Sequence, residues 1–252
     1  MDEEHVLLSS LFPMSLVKLP FIFSAALGFH TAFTSPNVPP PADESIVSPG
    51  LREIVLYPIV AWGCGIMKVI YWTGALTETV AVFSPYFTAS RSEVLRSVAS
   101  NFQALKIHNT PITPAFLAGS ALLTAGGILR WLCFRELGRF FTFYLSFRKG
   151  HKLVTTGPYS IVRHPGYTGT LICLVGACIM HGSRGSWLMS SGVLSIPGAK
   201  ELAISWILML VATDICLVMR ISKEDEMMRA GFKDEWSEWA RRVRYCLIPG
   251  VY

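Results

Sequence analysis

Charge is scarce in this chain. Asp, Glu, Lys and Arg make up only 15% of its 252 residues, where a soluble domain carries about 25%. Hydrophobic residues make up 52%, and the mean hydropathy is +0.45. These values exclude an ordinary soluble domain and point to an integral membrane protein. Cysteine is also sparse. The six are Cys64, Cys133, Cys173, Cys178, Cys216 and Cys246. Most lie inside apolar runs and no two form a CxxC pair, which argues against a disulfide framework or a zinc site. They read as small apolar fillers. No internal repeat is present, and the one compositionally biased tract is a proline-rich linker at 34–50. Neither a metal nor a nucleic-acid partner is expected.

What is there in quantity is long apolar runs. Five are read as spans: about Leu11 to Phe33, Ile54 to Leu76, Pro114 to Phe134, Tyr167 to Leu194 and Glu201 to Met219. Each is near the ~20 residues that cross a bilayer. Lys18 sits early in the first and is expected to snorkel to the interface. Residues 77–112 read as a surface loop with a short amphipathic helix around Arg91 to Leu105. The third run is rich in Gly and Ala, which lets membrane helices approach closely. The fourth is interrupted by His181-Gly182-Ser183-Arg184-Gly185, where a tilt or break is expected. Ile196-Pro197-Gly198 reads as a hairpin turn. The expected fold is therefore all-α, integral to the membrane, with about five transmembrane helices, a C-terminal helical hairpin and a cofactor-binding region facing the cytosol. Residues 1–113 form the N-terminal transmembrane region. Residues 114–252 form the core, with three spans, a cofactor segment at 144–167 and a C-terminal amphipathic helix.

The scarce charge is not spread evenly. Residues 130–163 and 220–244 each hold seven Lys or Arg, together 14 of the 22. The positive-inside rule places both regions in the cytosol, joined by a membrane hairpin.

Those two regions also hold the candidate chemistry. Gly157-Pro158-Tyr159 and Arg163-His164-Pro165-Gly166-Tyr167 stand just before the fourth run. Pro165 suits the first position of a helix, where its missing donor costs nothing. Free amides there can cradle an anion, though a plain interfacial turn has the same signature. Arg220 and Glu224 are four apart and share one helix face. They are either an intrahelical ion pair or two ligand hooks, an Arg for a carboxylate and a Glu for an amine or hydroxyls. Met228, Phe232, Trp236, Trp239 and Val243 recur at helical spacing. That stripe fits a helix packed on the core, or one lying on the membrane.

With these residues in view, the chain resembles the isoprenylcysteine carboxyl methyltransferase family. The resemblance rests on Lys152-Leu153-Val154-Thr155-Thr156-Gly157-Pro158-Tyr159, on Arg163-His164-Pro165-Gly166-Tyr167, and on Arg220, Glu224-Asp225-Glu226, Phe232, Glu235-Trp236, Trp239, Arg242-Val243 and Ile248-Pro249. It covers roughly residues 125–250. It implies a multi-pass enzyme of the endoplasmic reticulum membrane with its active site facing the cytosol. It implies methylation of the C-terminal carboxylate of prenylated cysteine, with S-adenosyl-L-methionine as cofactor. The partners would be the lipid bilayer and prenylated proteins or prenylcysteine-like lipophilic carboxylates. Carried over by position, the cofactor contacts are His151, Lys152, Leu153, Val154, Tyr159, His164, Pro165, Gly166, Tyr167 and Glu224. Tyr144 falls at a further contact position where a glutamine-like side chain is usual. Arg220 falls at the substrate-side catalytic arginine. Two departures are Asp225 where Glu is usual and Lys233 where Gly is usual.

Other readings stay open. An NADPH-dependent membrane sterol-type reductase has a similar His-Pro/Tyr element, and Arg148, Lys149 and Lys152 could meet its phosphates. It lacks the Arg220/Glu224 spacing. A methyltransferase acting on a small lipophilic carboxylate, and a non-catalytic adaptor, are the remaining alternatives. The charge distribution makes one expectation testable: a protease-accessible tag appended after Tyr252 is cut in intact cytosol-side-out microsomes, and its protection would reverse the orientation.

Overall fold

A computed structural model describes residues 16–41, 44, 56–107 and 110–252. The expected starts of the first two spans, at 11 and 54, and much of the proline-rich linker lie outside these. Among the described residues the chain is all-α, with no strand. The helices are α1 (Leu19–Ala32), α2 (Cys64–Thr88), α3 (Glu93–Ala104), α4 (Pro114–Leu137), α5 (Pro165–His181) and α6 (Ala199–Arg242). A π-helical turn, Ile59–Gly63, leads into α2.

Three stretches are long and apolar enough to cross a membrane: Leu56–Thr88, Pro114–Phe140 and Ala199–Arg242. Leu16–Ala32 and Pro165–His181 are shorter apolar helices, at the lower end of the length that spans a bilayer. Large apolar side chains such as Trp62, Ile66, Val69, Leu208 and Ile215 are exposed on the long helices. Lipid is the solvent that suits such faces. This is an integral membrane protein.

Several expectations shift in detail. The second helix does not stop near Leu76 but runs to Thr88. Its polar residues after Leu76, including Glu78, therefore sit in helix rather than loop. The amphipathic helix expected at Arg91 to Leu105 is α3. The fourth apolar run breaks where His181 to Gly185 interrupt it, leaving a short helical turn at Trp187–Ser190.

The chain divides into two units. The first comprises residues up to Leu27, Val69–Thr124 and Leu174–Ile207. Lys18 lies here and does not snorkel. It is fully buried and ion-paired to Glu78. It also donates to the Thr110 hydroxyl and, at 2.6 Å, to the Gly185 carbonyl. The other Glu78 oxygen accepts from the Trp187 amide at 2.9 Å. A buried cation with a paired carboxylate and satisfied hydrogen bonds needs no path to water.

The second unit comprises Gly28–Lys68, Ala125–Cys173 and Leu208–Tyr252. Close approach of α4 to its neighbours depends on glycine. A Cβ on Gly127 would collide with the backbone of Gly28, and one on Gly126 would lie 2.7 Å from the Gly169 carbonyl. The stripe on the last part of α6 is core. Trp236, Trp239 and Val243 are buried with Cys133, Phe141 and Tyr159, and Met228 and Phe232 pack against that cluster.

Helix α6 is interrupted at Lys233, which has φ 50° and ψ −114°. That is the mirror of an extended conformation, open to glycine and strained for lysine. The departure from glycine noted in the sequence thus falls on a backbone position that wants glycine. Lys233→Gly is expected to raise stability by about 1 kcal/mol by relieving this strain. Thermal unfolding in detergent checks it, and no gain would mean the conformation costs nothing.

Candidate functional site

The second unit contains a cavity with about 1200 Å³ of empty space, its open mouth included. The connection after α4, the start of α5 and the middle of α6 supply its polar wall. Two residues before α5 set the geometry. The Arg163 amide donates to the Tyr245 carbonyl at 2.9 Å and the His164 amide to the Cys246 carbonyl at 2.8 Å. The Thr168 hydroxyl donates to the Leu247 carbonyl at 2.7 Å. The segment after α6 thus runs beside the start of α5. Pro165 is the first residue of α5, as its chemistry suggests. Gly157 has φ +57°, and a Cβ there would press on the Glu136 side chain. Glycine therefore fits the turn that carries Tyr159.

A charged cluster sits at this junction. His164 Nε2 lies 2.9 Å from one Asp225 oxygen, and Arg163 Nε lies 3.3 Å from the other. The Tyr167 hydroxyl donates to Glu224. Arg220 lies 3.5 Å from Glu224 across one helical turn and donates to the Phe143 carbonyl at 2.8 Å. Both readings of that pair meet here: it is an ion pair, and both partners line the cavity.

Most of the other candidates come together as well. Tyr144, His151, Leu153, Val154, Tyr159, His164, Gly166 and Tyr167 line the same cavity. Lys152 and Pro165 do not. Lys152 is exposed, and Pro165 is fully buried. Burial raises the Tyr159 hydroxyl pKa well above its ordinary value, so it stays protonated. The ring of Tyr159 is held by its backbone: the Trp239 indole donates to its carbonyl at 3.2 Å.

The structure adds residues that sequence reasoning missed. Arg130 is buried on α4 and lines the cavity. It donates to the Ala32 carbonyl at 3.1 Å and the Gly166 carbonyl at 3.2 Å. Its guanidinium lies 5.0–5.1 Å from the ring centres of Phe134, Phe141 and Phe143. Among the described residues no carboxylate forms an ion pair with it. The signal for it is a cation within an apolar span, which the positive-inside reading uses only for topology. Asp225, a departure from the usual Glu in the sequence, is hydrogen-bonded to His164 and ion-paired with Arg163.

Comparison with known proteins bears on this arrangement. Residues 114–199 match the phospholipid methyltransferase family. Protein-S-isoprenylcysteine O-methyltransferase B of Arabidopsis thaliana is 44% identical over 64 residues, 25% of this chain and 32% of that protein. A Delta(14)-sterol reductase of Gibberella zeae is 28% identical over 124 residues, 43% of this chain and 25% of that protein. A nickel-cobalt-cadmium resistance protein of Alcaligenes xylosoxydans is 34% identical over 125 residues, 49% of this chain and 48% of that protein. The matches thus span a quarter to about half of these relatives. The resemblance to isoprenylcysteine methyltransferases is borne out, and it is partial in length. The matched residues include α4, the connection to α5 and α5 itself. Glu224 and Arg220 lie beyond them.

His151 gives this site a pH signature. Its ring is stacked on Phe140, with centroids 4.8 Å apart. Burial and, secondarily, the Arg148 charge hold its pKa below the ordinary histidine value, against the opposing pull of Glu224. A lowered folded-state pKa means the unfolded chain takes up the proton first. Stability should therefore fall as pH drops below about 6.5. Wild type should lose more stability than His151→Phe between about pH 7.5 and 5.5. Equal losses in thermal unfolding would remove His151 as the cause.

Proposed function

We propose that this protein transfers a methyl group from S-adenosyl-L-methionine to the carboxylate of a prenylated cysteine. The observation that carries the reading is the clustering of Arg130, Arg220, Glu224, His164 and Tyr167 around one cavity within a chain similar to isoprenylcysteine O-methyltransferases. Aromatic rings, a carboxylate and buried donors fit a cofactor that carries a sulfonium and an amino-acid end. In this reading His151, Lys152, Leu153, Val154, Tyr159, His164, Pro165, Gly166, Tyr167 and Glu224 hold the cofactor, with Tyr144 beside them. Lys152 and Pro165 would act through their backbone.

When bound, the cofactor supplies a methyl group already activated for attack. The protein's task is to bring a carboxylate to it. A terminal carboxylate has a pKa of about 3.5 and is ionised at neutral pH, so no general base is needed. Arg220 is assigned to orient it. Arg130, a buried cation outside any direct ion pair among the described residues, is assigned to the same anion. Rigid placement supplies the proximity contribution, and the apolar wall keeps water from the nucleophile. The prenyl chain would reach the site from lipid and the cofactor from the cytosol, in the endoplasmic reticulum membrane. Prenylated proteins, or smaller prenylcysteine-like carboxylates, would be the substrates.

The sterol reductase reading keeps one supporting observation, the 28% identity to the Gibberella reductase. It is weaker in identity than the methyltransferase matches.

The test is transfer of radiolabelled methyl to a farnesylated cysteine analogue in membranes carrying this protein. Arg220→Ala should lower transfer at least a hundredfold, on the order of the 2–5 kcal/mol of a charged contact. Arg220→Lys should not restore it, because lysine cannot make the two-pronged contact. Wild-type transfer by Arg220→Ala would mean that the Arg220–Glu224 pair is structural. No transfer by wild type would reject the reading.

A further inference from the structure

We propose that Ser146, His151 and Trp236 form a neutral polar subsite that takes the nucleobase end of the cavity's ligand. The proposal rests on the S-adenosylmethionine reading. It extends it to Ser146 and Trp236, which neither the sequence motifs nor the family resemblance assigned to the cofactor.

The Ser146 hydroxyl, both ring nitrogens of His151 and the Trp236 indole N–H are buried. None has a hydrogen-bond partner among the described residues. All three residues line the one cavity. Ser146 and Trp236 are 4% and 3% exposed, so water does not satisfy them in bulk. Buried polar side-chain atoms almost always have partners, and an unmet one costs free energy. Four such atoms around one cavity call for a ligand with matching polar atoms.

The rings are fixed in advance. Trp236 meets Trp239 edge-on, with centroids 6.5 Å apart, and the Arg229 guanidinium lies 4.5 Å over its face. His151 is stacked on Phe140 and flanked by Phe232 at 5.6 Å. Preordered groups lose little freedom on binding.

Their chemistry selects the end of the ligand. Trp236 only donates, a neutral His151 donates once and accepts once, and Ser146 does either. Burial favours the neutral imidazole. A purine offers ring acceptors and an exocyclic amine, which match that set. An amino-acid end carries full charges and belongs with the ionised lining, Arg130, Arg163, Arg220, Glu224 and Asp225. Arg148, whose charge acts on His151, and Arg229, over the Trp236 ring, do not line the cavity.

The test uses the whole protein in detergent and two probes, S-adenosylhomocysteine and 5′-methylthioadenosine. The second keeps the nucleoside and lacks the amino-acid end. Calorimetric titration should show Trp236→Phe and Ser146→Ala each weakening both probes by about fivefold, the worth of one neutral hydrogen bond. Glu224→Gln should weaken S-adenosylhomocysteine more than 5′-methylthioadenosine. If Trp236→Phe fails to fold, Ser146→Ala decides alone. Variants that weaken S-adenosylhomocysteine but leave 5′-methylthioadenosine unchanged overturn the assignment, because the subsite would then face the amino-acid end. Unchanged affinity for both probes overturns it too. A wild type that binds neither probe overturns the cofactor reading and the subsite with it.

Discussion

The carboxylate of Asp225 is the contact on which the site's geometry depends. One oxygen meets His164 and the other meets Arg163, two adjacent residues at the entry to α5. Asp225 stands on α6 next to Glu224, so fixing it also fixes the register of α6 against α5. Glu224 then reaches Tyr167 and Arg220 reaches the Phe143 carbonyl. Backbone bonds from Arg163 and His164 to Tyr245 and Cys246 hold the same residues from another side. Breaking one partner of such a semi-buried cluster strands the others, which costs more than the pair contributes.

The cavity's charges divide by whether they are already paired. Arg163 and Asp225 balance one another, and Arg220 and Glu224 do the same more loosely at 3.5 Å. Arg130 is different. Carbonyl oxygens and aromatic faces solvate it, and among the described residues no carboxylate forms a direct ion pair with it, although the buried Asp214 carboxylate acts on it from farther away. A cation outside any direct ion pair, beside an apolar wall, favours an anionic ligand with an apolar body. That combination suits the lipophilic carboxylate of the proposed function.

Much of this was legible in the sequence because each signal was local. Pro165 after His164 marks a helix start through its missing donor. His181 to Gly185 break an apolar run by composition, and the 228–243 stripe shows its buried face by period. Other features needed three dimensions. Lys18 looks like a snorkelling residue until Glu78, 60 positions away, is found beside it. The extension of α2 past Leu76 was hidden because Thr77 and Glu78 read as loop, and only a buried partner makes Glu78 tolerable there. Arg130 acts through residues of α1 and α5 that sequence distance conceals. Ser146 carries no motif and Trp236 reads only as part of the core stripe and the resemblance; what singles them out is the lack of a partner.

On the proposed function the cavity binds a sulfonium cofactor rather than a nicotinamide one. Ligand-induced thermal shift of the purified protein, with S-adenosylmethionine and NADPH compared side by side, tests it most directly. At a hundred times its dissociation constant a ligand stabilises by about 2.7 kcal/mol, which is readily seen. Such a shift is expected with S-adenosylmethionine, reduced in Glu224→Ala, and none with NADPH. A shift with NADPH and none with S-adenosylmethionine would contradict it.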